Sequence, residues 1–178
     1  RETSILTDVK ATAQAMAFAE AGINIAIMQL MQGNEQTRWR SDNSLYEFAF
    51  EDVPIRVLIT DESGKIDLNQ QDQVALRGLM AANGVEEDAQ NRLIGAIADW
   101  RDPDEIVSPD GAEIEQYKSA GLKYGPRNKP FETVEELQMV LGMTPELFKQ
   151  IEPYLTVFSN GQAVNPAKAS REILLTLP

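Results

Sequence analysis

The stretch SLYEFAFEDVPIRVLITDESGKIDLN, residues 44–69, is where the hydrophobic period of this chain changes. Leu45, Glu47 and Ala49 alternate with Tyr46, Phe48 and Phe50; then Ile55, Val57 and Ile59 alternate with Arg56, Leu58 and Thr60. A period of two is that of a strand whose side chains point to opposite faces. Glu51-Asp52 turns the first run into the second, and Ser63-Gly64 closes the second. The segment KIDLN, residues 65–69, predicts a third short strand.

Upstream the period is helical. DVKATAQAMAFAEAGINIAIMQLMQG, residues 8–33, is rich in Ala, Met, Leu and Gln, which favour helix. Apolar positions at Val9, Ala13, Met16, Ala17, Ile23, Ile27, Leu30 and Met31 roughly follow one stripe, and Gly33 suits a C-terminal cap. Such a helix is ~37 Å long at 1.5 Å per residue. A long helix followed by an antiparallel meander defines an α+β class. Ile23, Ile27, Leu30 and Met31 serve either this domain's core or a partner helix. The need for an apolar face to pack the sheet favours the core.

From Gln70 to Tyr154 the strand signal gives way to short helices. Val74, Leu76, Leu79 and Met80 predict one helix, stopped near Asn83-Gly84; Ala89, Leu93, Ile97 and Trp100 mark a second over residues 86–100. Thr133 to Glu136 is a capping box, and Thr144-Pro145 combines an N-cap with a first-turn proline. Alternation returns at Leu155 and Val157 around Asn160-Gly161, a hairpin-turn dipeptide, and the tail from Asn165 starts another helix. The expected division is therefore 1–69 for the spine helix and first strands, 70–154 for a helical insert, and 155–178 for the returning strand and a final helix start.

Composition removes much chemistry. The chain has 178 residues, 28 acidic against 16 basic, and a formal net charge of −12. That field repels nucleic-acid phosphates and anionic headgroups. Histidine and cysteine are both absent, so no Ser-His-Asp or Cys-His nucleophile, no disulfide and no usual zinc site can be built. No catalytic residues are assigned. The chain opens at Arg1 instead of Met, which implies an upstream segment that was processed or cut away.

The acidic stretch DWRDPDEIVSPDGAE, residues 99–113, is the one candidate site. With Asp102 as the first position of an EF-hand-like loop, Asp104, Asp110 and Glu113 fall on the third, ninth and twelfth, all liganding positions. Ile106 and Val107 stand where that loop needs a ligand and a turning glycine, so an irregular calcium loop is the form left open. Solvated carboxylates, some acting as helix caps, are the plainer alternative. A carbohydrate-active carboxylate pair would need aromatic stacking, yet aromatics are only 7% of the chain and Trp100 lies on a helix face suited to core packing.

The motifs AEAGINIAIMQL, DESGKIDLN, IADWRDPD with GAE and a following Tyr, YGPRNKPFETVEELQMVLGM and IEPYLTVFSNGQAVNPAKASREILLTLP occur in that order. In them the chain resembles the minor pseudopilin K family of the bacterial type II (general) secretion pathway, from about Ala17 onward. The resemblance implies a pilin-like fold, a long N-terminal helix packed on a small antiparallel sheet, interrupted by an all-helical domain. It implies a non-enzymatic subunit at the pseudopilus tip, assembled with minor pseudopilins I and J and facing secreted protein substrates. The globular part would be periplasmic in a Gram-negative bacterium, with the inner membrane reached only through an N-terminal anchor helix. At least some members carry calcium in the insert, a structural role that would here fall to Asp102, Asp104, Asp110 and Glu113. Family members often continue past the point where Pro178 ends this chain. The competing class is an independent calcium-binding or carbohydrate-active acidic domain.

Overall fold

The alternating runs form a hairpin. Strand β1 (Leu45–Phe50) pairs antiparallel with β2 (Val53–Leu58), with Leu45 opposite Leu58 and Phe50 opposite Val53. This register leaves Glu51 and Asp52 as a two-residue loop, and both have positive φ, 49° and 63°. Positive φ at both central residues is the signature of the type I′ turn, whose twist matches that of paired strands. One face of the hairpin carries Tyr46, Phe48 and Phe50 opposite Val57, Ile55 and Val53; the other carries the pairs Leu45–Leu58, Glu47–Arg56 and Ala49–Pro54, with Arg56 Nε 2.8 Å from Glu47 Oε1 across the ladder.

The computed structural model describes residues 2–70, 72–159, 161 and 163–177. They divide into two units, Arg1–Asp61 and Glu62–Pro178. In the first, helix α1 (Glu2–Leu30) packs on β2. The contact face is Phe18, Gly22, Ile25 and Ala26, all at least half-buried. A Cβ on Gly22 would stand 3.1 Å from Cγ2 of Ile55, so the absent side chain is what lets helix and strand approach. Bulk comes instead from the hairpin side, where Trp39 stacks on Tyr46 with ring centroids 4.2 Å apart and Phe18 meets Phe50 edge-on.

This corrects the expected core stripe. Ile23, Ile27 and Met31 are 59%, 49% and 79% exposed, and Leu30 is also exposed. The larger aliphatic side chains lie off the sheet-facing side, because aromatic residues from the hairpin fill the space and small residues on α1 suffice. The helix also stops at Leu30, short of Gly33, and Gly33 is not in the left-handed region that a glycine cap adopts.

In the second unit, the predicted third strand forms but does not extend the hairpin. Strand β3 (Ile66–Asp67) pairs in parallel with β4 (Leu155–Thr156). Around it lie α2 (Gln73–Ala82), α3 (Glu87–Arg101), α4 (Ile114–Ser119), α5 (Pro145–Ile151) and α6 (Arg171–Leu174). Asp72 caps α2 by accepting the Ala75 N–H, and Gly84 at φ 77° ends the turn after it. Thr144 caps α5 and Ser170 caps α6 through their hydroxyl oxygens. The capping box at Thr133 and Glu136 is present, though the turn it opens, Val134–Met139, is a 3-10 helix.

One apolar core joins these elements, including Ile66, Met80, Ile97, Tyr117, Leu137, Ile151 and Leu155. Val164 and Ile173 belong to it too, so residues expected to rejoin the spine sheet are packed with the helices. The Asn160-Gly161 turn lies outside the described residues, since Asn160 is not among them.

Candidate functional site

Helix α3 ends inside the acidic stretch. Asp99, in its last turn, is fully buried, and both its carboxylate oxygens accept the Ser108 N–H at 3.2 Å. That bond ties the loop back onto the helix that launched it. The approach depends on two glycines. A Cβ on Gly95 would lie 2.7 Å from Pro109 O, and one on Gly111 would lie 2.2 Å from Oδ2 of Asp99. Asp99 was not among the predicted ligands. Helical spacing gave no signal for it, because residues one or two apart do not share a helix face and Asp99 falls outside the Ala89, Leu93, Ile97, Trp100 stripe.

The four predicted ligands have separate local roles. Asp102 is the C-cap residue of α3. Asp104 Oδ1 accepts the Ile106 N–H at 2.8 Å in a side-chain turn. Asp110 is exposed and holds a left-handed φ of 57°. Glu113 opens α4 in a capping box with Gln116, whose Oε1 accepts the Glu113 N–H at 3.0 Å. The plainer alternative, carboxylates serving as caps, is therefore partly realised. Among the described residues no group of three or more acidic side chains has a metal-holding arrangement.

Three oxygens here nonetheless lack hydrogen-bond partners while buried: Asp102 Oδ1, Glu113 Oε1 and Asn128 Oδ1. Buried polar atoms normally find a partner, and leaving one unsatisfied costs about 1–3 kcal/mol. Glu113 is only 4% exposed. Its pKa is pushed up to about 7, chiefly by burial and then by the negative charges of Asp99, Asp102, Asp104 and Glu105. Asp102 is raised as well, by burial and by Asp104 and Asp99. Asn128 joins the same neighbourhood: its Nδ2 donates to the Asp104 carbonyl at 2.8 Å, and it holds a left-handed φ of 52°. Nothing in the acidic motif pointed to Asn128, 15 residues further along the chain than Glu113.

Trp100 offers no platform to a sugar. It is 2% exposed, stacked on Phe131 at 6.0 Å and near Tyr117, with its Nε1 3.4 Å from Glu136 Oε2.

A long helix on an antiparallel hairpin, followed in the chain by a helical unit with an acidic loop, defines a pilin-like α+β protein. The family model described as type II secretion system (T2SS), protein K, matches residues 43–160. The chain belongs to that family. The type II secretion system protein K of Pseudomonas aeruginosa is 28% identical over 166 residues, covering 83% of this chain and 50% of that protein. The Aeromonas hydrophila protein of the same name is 27% identical over 156 residues, covering 84% and 46%. The chain thus spans about half the length of these relatives. A chain of the crystal structure of the GspK-GspI-GspJ complex from the enterotoxigenic Escherichia coli type 2 secretion system superposes with a TM-score of 0.74. It is 18% identical and covers 94% of this chain and 67% of that one, which shows the fold. The chain is accordingly a secretion-system component by family. No helix among its described residues is long and apolar enough to cross a membrane.

Proposed function

We propose that this chain is a structural, non-catalytic subunit of the type II secretion pseudopilus, placed at the fibre tip with minor pseudopilins I and J, its globular part in the periplasm. The observation that carries this reading is the exposed stripe of α1. Ile23, Ile27 and Leu30 lie on the helix surface that the hairpin leaves uncovered, with the exposed Met31 just past its end, and an apolar stripe at helical spacing suits a second helix packed alongside. The relative solved as a complex with GspI and GspJ supports the choice of partners. The work is done by shape and interface: a bulky helical unit on one subunit limits the addition of further subunits on that side.

The test is assembly. Mixed with the soluble domains of pseudopilins I and J at about tens of micromolar, this chain is expected to form a complex whose mass by light scattering equals the sum of the components. Ile27→Glu is expected to abolish it. A mixture that shows only the separate masses overturns the tip reading.

The acidic loop supports a structural calcium. The donor set is oxygen only, as a hard cation requires, and the unpartnered Asp102, Glu113 and Asn128 oxygens are what such an ion would satisfy. Asp102 and Glu113 would supply charge, with Asp104 and Asp110 the remaining carboxylates of the loop. An ion that binds only the folded state raises the melting temperature. Chelator-stripped protein is expected to melt higher in millimolar calcium than in magnesium. Equal melting with and without calcium removes the ion from the account.

A further inference from the structure

We infer that a groove beside β4 in the helical unit is a docking site for a basic and apolar segment of another polypeptide. The cavity has a volume of about 520 Å³ and is bounded by the 3-10 turn after Thr133, by Glu152-Pro153 and by Leu155-Thr156. It is separate from the acidic loop and from α1, so it does not depend on either proposal above.

Three observations set the chemistry of the occupant. First, the groove is bounded on one side by β4, whose Leu155 and Thr156 are buried, so an occupant meets side chains there and not a free backbone edge. Second, apolar surface lines it: Val134 and Leu155 in the wall, and Phe158, 68% exposed, at the rim. Apolar side chains of the segment would meet that surface.

Third, the charge is one-sided. Glu62, Glu135 and Glu152 line the groove against a single Lys65, and that lysine is committed to Glu62 at 2.9 Å. Glu135 and Glu152 have no ion pair among the described residues and remain to meet a lysine or arginine of the partner. Complementary charge of this kind selects partners and speeds encounter more than it adds affinity. An apolar, positively charged peptide that docks through its side chains is the chemistry that satisfies all three.

The probes are two short fluorescent peptides, one alternating lysine with valine and one alternating glutamate with valine. Fluorescence anisotropy with the whole chain is expected to show saturable binding of the lysine peptide only. Glu135→Lys combined with Glu152→Lys, both at exposed positions, is expected to weaken it by about tenfold and to admit the glutamate peptide. Glu20→Lys with Glu105→Lys makes the same change in net charge at exposed positions elsewhere and is expected to leave binding within about twofold of wild type. Matching melting temperatures establish that both variants are folded. Equal loss in the two double variants means the chain's overall charge attracts the peptide, and the groove is overturned. Binding of both peptides alike, or of neither, overturns it as well.

Discussion

Gly111 stands against the buried carboxylate of Asp99 so closely that a Cβ on the glycine would lie 2.2 Å from Oδ2. The acidic loop is therefore shaped by one carboxylate that faces inward, while its exposed acids follow from that closure. Gly111→Ala is expected to destabilise the chain by about 1–3 kcal/mol, the usual cost of forcing atoms into a filled space. Urea unfolding measures it. Since the clash is with Asp99 itself, Asp99→Ala combined with Gly111→Ala should cost less than the sum of the single changes. Strict additivity would mean that the two residues do not share the strain.

The two sides of α1 should respond in opposite ways. Gly22 and Ala26 face the hairpin, with the Gly22 Cβ position 3.1 Å from Ile55, whereas Ile27 is 49% exposed. Gly22→Leu is expected to lower stability by about 1–3 kcal/mol through overpacking. Ile27→Glu is expected to stay within about 0.5 kcal/mol of wild type, as exposed substitutions do. Thermal melts of the isolated chain decide it. A large loss from Ile27→Glu would return that residue to the core and remove the stripe from the assembly argument.

The same contrast shows how much was legible in the sequence. The period-two runs located β1 and β2, and the turn between them, because alternation and a two-residue gap are local facts. The helix itself was legible for the same reason. Which side of it faces inward was not, because that depends on partners far along the chain: Tyr46, Phe48 and Phe50 supply the bulk, so the inward positions of α1 are small and carry little hydrophobic signal. KIDLN was readable as a strand, but its partner, Leu155-Thr156, lies roughly ninety residues away and a parallel pairing leaves no turn between them to read. In the acidic loop the residue types were plain. Their roles as caps, the inward Asp99 and the unpartnered Asn128 oxygen all come from tertiary contact.

The hairpin turn leaves stability to be gained. Glu51 and Asp52 both sit at positive φ, where a side chain with a Cβ is disfavoured and Asn-Gly is the preferred pair. Replacing them together, Glu51→Asn with Asp52→Gly, is expected to stabilise the chain by about 1 kcal/mol. The gain appears as a higher urea midpoint at unchanged slope. A loss would show that the two acidic side chains contribute more than their backbone strain removes.

Glu113 makes stability fall as the pH rises when no cation is present. Its carboxyl titrates at about 7 in the folded chain, against an ordinary value of 4.5. Between those values the folded protein holds a proton that the unfolded chain has lost. The protonated form's advantage is complete below about 4.5, is lost as the pH climbs through about 7, and changes no further above that. Asp102, raised for similar reasons, acts in the same direction. Glu136 acts in the opposite one. Burial alone would raise its pKa, but hydrogen bonds from the Glu132 and Thr133 N–H groups and from Arg127 outweigh burial and lower it, so its contribution is lost on acidification. Comparing wild type with Glu113→Gln in chelator isolates one group from the rest. The variant is expected to be the more stable of the two at pH 8, and the difference should shrink toward pH 5. Calcium should reverse the order at pH 8, because it satisfies the carboxylate that the variant lacks. Parallel pH profiles for the two proteins would show that the Glu113 carboxyl is not the buried, repelled group that its surroundings describe.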